Sequence, residues 1–319
     1  MQSVLARHKI AGAQNKGTEL MMRIYILLLS LAISCIAIPA GAQTHPVERQ
    51  LFEFNDGGES IYYMVELDRA SNPDSIIFFY GGSGCISWRD YLPVFSEEIG
   101  IDARYLALNK RNVDDSGRQL DKCGDKFHET DNLRQWMSDY MEFISTTLKN
   151  LPVKPRNVVL VGISEGGMVA ARVARARSDI THLIVIGDGG WSMRENLGVL
   201  MGPEAVSREW PKIASDPSSI EKSWLGNTYR YWFDVMDYSP IGDYLALEIP
   251  VLIAIGERDK SVPSASALDV QKSATASGKK NIGVVVYPGA DHLLRAGDFS
   301  YRAEFLRQAG KGVQEGISP

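Results

Sequence analysis

The chain has 319 residues, 45% of them hydrophobic and 23% charged, with a formal net charge of -5 at pH 7. That apolar content excludes disorder as the main state. Asp+Glu (39) outnumber Lys+Arg (34) and no basic tract appears, so no nucleic-acid partner is expected. The first segment is a leader. Ile24 to Ile38 form an apolar run preceded by Arg23 and followed by Ala40, Gly41 and Ala42. A cationic start, a hydrophobic stretch and a small-residue triplet read as a secretory signal peptide cut after Ala42. A lipoprotein reading through Cys35 is weaker, because Ala32-Ile33-Ser34 is a poor lipobox. The run is too short for a good membrane anchor, so no stable anchor is expected after cleavage. Met21 and Met22 sit where such a signal begins, and residues 1–20 read as an upstream extension. Residues 1–42 are therefore extension and signal, 43–319 the folded part, and the product is exported, periplasmic or secreted. Of three cysteines, Cys85 and Cys123 remain after cleavage. Two cysteines in an exported chain suggest one disulfide, the alternative being two unpaired thiols.

Beyond the leader, strands alternate with helices. Leu51–Phe54 and Ile61–Leu67 read as an antiparallel pair around the turn Asn55-Asp56-Gly57-Gly58. Ile76–Tyr80 is a near-continuous apolar run ending in Gly81-Gly82-Ser83-Gly84, the pattern of a buried parallel strand, and Arg104–Leu108 is another. Asp131–Leu148 carries Leu133, Trp136, Met137, Tyr140, Met141, Ile144 and Leu148 at helical spacing, with Thr130 or Asp131 as N-cap. Asn157–Ile163 is the strongest strand, and Ser164–Ala176 follows it as an Ala/Arg-rich helix. His182–Ile186, Val251–Ile255 and Gly283–Tyr287 complete a mostly parallel α/β sheet with helices on both faces. Between Trp191 and Tyr244 no clear strand appears, yet four of the six Trp lie there. That insertion, about 190–245, reads as a helical cap whose aromatics either bind substrate or bury the insert against itself.

The reactive residues fall at strand ends. Gly162-Ile163-Ser164-Glu165-Gly166 has the spacing of a nucleophile elbow and sits where the mechanism needs it, between the best strand and a helix. A serine hydroxyl needs a base, and the base an orienting acid. Among the histidines, His45 stands near the cleavage point, His128 in a polar loop and His182 at a strand start. His292 lies in a loop directly after the last strand and is the expected base. Asp259, after the strand ending at Ile255, is the expected acid, with Asp188 as rival and Asp291 as a turn residue. No His/Cys/Asp/Glu group has zinc spacing, and no glycine-rich loop fits phosphate or a dinucleotide, so neither metal nor cofactor is expected.

Ser164, then Asp259, then His292, each just past a strand, resembles the order of nucleophile, acid and base in the α/β-hydrolases. The resemblance covers about Leu51 to Ala309. It implies the α/β-hydrolase fold: a mostly parallel eight-stranded sheet flanked by helices, here with a helical cap insert. It also implies a Ser-His-Asp triad and an oxyanion hole shared by two backbone amides, one of Glu165 and one of Gly82 or Ser83. Relatives similar to proline iminopeptidase read His-Gly-Gly-Pro-Gly in that second loop, whereas this chain has Tyr80 and Ser83 at the His and Pro positions. In that fold the strands ending at Tyr80 and Leu108 are neighbours, which would let Cys85 and Cys123 bridge beside the oxyanion loop. The expected activity is hydrolysis of a carboxylic ester of a small, partly apolar molecule by a serine esterase. An exported peptidase of the proline iminopeptidase-like type, with an acidic cap residue (Glu195, Glu204, Glu209 or Glu221) holding a free amino terminus, is the alternative. A non-catalytic binding protein on the same fold is a third.

Overall fold

The computed structural model describes residues 45–67, 74–115 and 123–316, and the signal segment lies outside them. The strands in chain order are β1 (Glu48–Glu53), β2 (Glu59–Glu66), β3 (Ser75–Tyr80), β4 (Arg104–Leu108), β5 (Asn157–Ile163) and β6 (His182–Ile186). A short hairpin, β7 (Ser223–Trp224) and β8 (Asn227–Thr228), precedes β9 (Val251–Gly256) and β10 (Ile282–Tyr287). The main sheet has eight strands in the order β1-β2-β4-β3-β5-β6-β9-β10. β2 runs antiparallel to both neighbours, and from β4 to β10 every pairing is parallel. The carboxyl ends of β3, β5, β6, β9 and β10 therefore open onto one edge, where ligands of such sheets bind.

β3 and β5 are buried along their whole length, which is why their sequences are unbroken apolar runs. Alternation divides their side chains between two cores. Ile77, Phe79, Val159 and Val161 pack with Phe95 and Leu306, from the helices Leu92–Ile99 and Tyr301–Glu315. Phe78, Tyr80 and Leu160 pack on the opposite face with Tyr140, Phe143 and Val169, from the helices Leu133–Asn150 and Glu165–Ala176. Arg302 ties the first helix pair together, its guanidinium bonded twice to Glu98 at 2.7 Å and lying 4.6 Å from the Phe95 ring.

Two expectations need correction. The helix over Leu133–Asn150 is capped by Asn132, whose side chain accepts from the Gln135 amide at 2.9 Å, and not by Thr130 or Asp131. Asp131 is drawn away by Lys110, whose ammonium stands 2.8 Å from its carboxylate. The segment between Trp191 and Tyr244 does hold strands, but only the two-residue pair β7 and β8. Around that pair lie the helices Met193–Met201, Pro203–Ser215, Tyr229–Val235 and Ile241–Ala246. The first is set by a capping box in which Ser192 and Glu195 satisfy each other's amides. Trp224, Tyr229, Tyr231, Trp232 and Tyr244 are buried in the core beneath this insert, so packing accounts for them.

Tyr140 closes the gap between the carboxyl ends of β3 and β4. Its ring stacks on Tyr80 at 3.8 Å, and its buried hydroxyl reaches the carbonyls of Phe79 and Leu108. Tyr140→Phe leaves both oxygens without that donor in an apolar setting, so it is expected to cost about 1–3 kcal/mol. Urea unfolding should show the midpoint falling with an unchanged slope.

Candidate active site

The chain leaves β5 through a forced turn. Ser164 sits at φ 56° and ψ -129°, immediately before the helix Glu165–Ala176. A non-glycine residue held there stores about 1–3 kcal/mol of backbone strain. The turn is also crowded: a Cβ on Gly166 would stand 2.3 Å from the Gly81 carbonyl oxygen, and one on Gly162 would stand 2.6 Å from that of Gly166. The glycines of the elbow are therefore a packing requirement. Because Glu165 is the first residue of its helix, its amide has no intrahelical acceptor, and the helix adds positive potential at the same point.

His292 and Asp259 come from the loops after β10 and β9. The His292 Nδ1 and Asp259 Oδ2 are 2.7 Å apart. The second Asp259 oxygen accepts from the amides of Ser261 at 2.7 Å and Val262 at 2.9 Å, so the carboxylate cannot swing away. Both side chains are almost wholly buried. Burial pulls the His292 pKa down, but the charge and hydrogen bond of Asp259 more than reverse this and hold it above the ordinary histidine value. With Nδ1 committed to Asp259, Nε2 is the ring nitrogen left for the cavity that His292 lines.

That cavity also contains Ser164. Gly81 and Gly82 form one lip, and a Cβ on Gly82 would stand 3.4 Å from that of Ser164. Trp88, Tyr91, Phe95 and Trp136 supply an aromatic wall, and Lys110 is its charged member. None of the cap aromatics is among the lining residues. The wall belongs to the β3–β4 side of the sheet.

The rival residues are placed elsewhere. Asp188 is fully buried and pairs with the Tyr244 hydroxyl at 3.3 Å, with its carboxyl pushed up to about 7 by burial. Asp291 holds a turn by accepting from the amides of Leu293 and Arg295. His182 bonds Thr181, and His128 packs against Phe127; neither lines the cavity. Cys85 and Cys123 form a disulfide that joins the loop after β3 to the one after β4. The sheet order brings those loops together, since β3 and β4 are adjacent.

Sequence reasoning missed Lys110, Asp131 and Tyr231. Lys110 Nζ lies 2.8 Å from Asp131, 3.4 Å from Glu165 and 4.1 Å from the Trp136 ring centre. The Ser83 hydroxyl also bonds the Glu165 carboxylate, whose pKa burial raises against the pull of Lys110. The only hint in the sequence was a basic pair, Lys110-Arg111, at the exit of a buried strand.

The sheet order, the strained elbow and the histidine loop after β10 define a serine hydrolase of the α/β-hydrolase class. Residues 116–309 match the profile of the prolyl oligopeptidase family, and the chain belongs to that family. No curated protein sequence matches it significantly. Among solved structures it is similar to Est1E from Butyrivibrio proteoclasticus, at 16% identity and a TM-score of 0.54, covering 84% of this chain and 98% of that one. It is similar to a thermostable carboxyl esterase from Bacillus coagulans at 17% identity and a TM-score of 0.58, covering 85% and 99%. The acylaminoacyl peptidase of Pyrococcus horikoshii gives 12% identity and a TM-score of 0.61, covering 87% of this chain and 43% of the longer one. Among the described residues, no His/Cys/Asp/Glu group is arranged to hold a metal ion, and no helix is long and apolar enough to cross a membrane.

The disulfide spans 38 residues, which in the chain-entropy account stabilises the fold by about 4 kcal/mol. A Cys85→Ser/Cys123→Ser variant is expected to melt several degrees lower, whereas reductant added to that variant should shift its melting no further.

Proposed function

We propose that the chain hydrolyses a carboxylic ester of a small, partly apolar molecule through an acyl-enzyme. The observation that carries this reading is one apolar, aromatic cavity shared by a strained Ser164 and a His292 already held by Asp259. Ser164 Oγ attacks the ester carbonyl carbon while His292 Nε2 takes its proton. The oxyanion is held by the amides of Glu165 and of Gly82 or Ser83. The carbon–oxygen bond to the alcohol then breaks, and His292 returns the proton to the departing oxygen. Water, deprotonated by the same imidazole, attacks the acyl carbon; the bond to Ser164 Oγ then breaks, His292 gives the proton to that oxygen, and the acid is released. The reading includes export to the periplasm or medium, where a bridge such as Cys85–Cys123 persists.

A peptidase is the second reading, favoured by the family match and by the likeness to the acylaminoacyl peptidase. Against an aminopeptidase stands the placement of the cap acids. Glu195 is spent on its capping box, Glu209 bonds Lys212 and Tyr229, and none of Glu195, Glu204, Glu209 and Glu221 lines the cavity.

The test is turnover of a short-to-long series of p-nitrophenyl esters beside aminoacyl p-nitroanilides. Ester turnover is expected to dominate and to fall by roughly 10⁴-fold or more in Ser164→Ala. Faster cleavage of the anilides would move the peptidase to first place, and turnover indifferent to Ser164→Ala would remove the nucleophile.

The pH profile follows from the histidine. A base must be neutral, and the folded pKa of His292 lies above its usual 6.5, so kcat/KM should fall as pH drops through a value above 6.5. In Asp259→Asn the raising charge is gone while burial remains. The acid limb should then move to lower pH, with the plateau reduced by about 10⁴-fold.

A further inference from the structure

Behind the elbow lies a second cluster of ionisable groups that the reaction sequence above does not use. Lys110, Asp131 and Glu165 are buried together, one ammonium between two carboxylates. The Ser83 hydroxyl donates to the Glu165 carboxylate. The Tyr231 hydroxyl, from the cap helix Tyr229–Val235, lies beside Ser83 and gives its one proton to the same Glu165 carboxylate. Four separate parts of the chain thus meet at the Glu165 side chain: the exit of β4, the glycine-rich loop, the elbow and the cap. Taking three charges out of water costs several kcal/mol each before pairing, and apolar replacements of similar volume would often be as stable. Stability alone is a poor reason for this arrangement.

Its location supplies a better one. In the reading above one oxyanion amide is that of Glu165 and the other that of Gly82 or Ser83 in the glycine-rich loop, and the side chains of Glu165 and Ser83 are bonded to each other. Any drift of the glycine-rich loop away from the elbow must stretch that bond. We propose that Lys110 is a positioning residue: by fixing the Glu165 side chain, and Ser83 through it, it sets the spacing of the two oxyanion donors, and Tyr231 ties the cap to the same point. The proposal rests on the serine-esterase reading of the site. The ion pair touches no reacting atom. It acts by holding preorganised donors where charge appears, and misplacement of about 1 Å in such a site costs about 10²-fold.

The experiment compares wild type with Lys110→Met, Glu165→Gln and Tyr231→Phe, using the best p-nitrophenyl ester and a trifluoromethyl ketone that forms a hemiketal oxyanion on Ser164. Thermal melting checks that each variant is folded. Lys110→Met is expected to lose about 10²-fold in kcat with KM within about threefold, and to bind the ketone weaker by a similar factor. Glu165→Gln keeps its size and an acceptor for Ser83 but drops the charge that Lys110 holds, so a smaller loss of the same kind is expected. It carries the test if Lys110→Met does not fold. Tyr231→Phe should lie nearest wild type. Unchanged kcat and ketone affinity in folded Glu165→Gln would overturn the proposal, and so would a loss confined to KM, which would make Lys110 a substrate contact. Failure of the esterase reading itself looks different: wild type would then show no Ser164-dependent ester turnover.

Discussion

Everything at the carboxyl edge of the sheet depends on one backbone turn, the left-handed Ser164 at the exit of β5. The strain there is tolerated only because the surroundings leave no other path. β5 is hydrogen-bonded on both sides along its length, and the Ser164 amide is itself tied to the Ile186 carbonyl at 2.8 Å. The helix that follows is packed so closely on the β3 exit that a single methyl group at Gly166 would meet two carbonyl oxygens. A loosely packed version of the same turn would relax to an ordinary conformation and withdraw the hydroxyl.

Asp259 and His292 are positioned by the same logic, with buried polar groups holding one another. Asp259 is pinned by two amides before it bonds His292, and the imidazole has one nitrogen left for the cavity. Asp188 is the contrast. It lies close enough to affect the charge balance of the histidine, yet its oxygen bonds Tyr244 and its pKa is pushed up to about 7. Of the two carboxyls near this histidine, one is held by two amide donors and bonds the ring, and the other bonds a tyrosine instead.

Much of this was legible in the sequence because it rests on local pattern. β4, β5 and β6 occupy the residues read from their apolar runs, since strands buried on both faces leave no room for polar interruption. Ser164, Asp259 and His292 could be singled out because each lies in the turn or loop after a strand, β10 being a partly exposed edge strand. The failures share one physical cause, which is competition from groups remote in the chain. Asp131 is a good N-cap until Lys110 claims it, 21 residues away. Lys110 carries no motif, and its meaning depends on Glu165, a further 34 residues past Asp131 and 55 from Lys110 itself. The cap aromatics gave no local sign of which side they would face.

The division of aromatic residues between cap and cavity has a consequence for how the protein can change. The cap spends its Trp and Tyr side chains on its own interior, while the wall beside Ser164 is built from Trp88, Tyr91, Phe95 and Trp136 of the sheet domain. The insert and the lining of the cavity are therefore built from separate stretches of sequence. Loops of the insert are free to lengthen, shorten or exchange without redrawing the cavity beside Ser164. Tyr231 is the residue through which such remodelling would reach the chemistry.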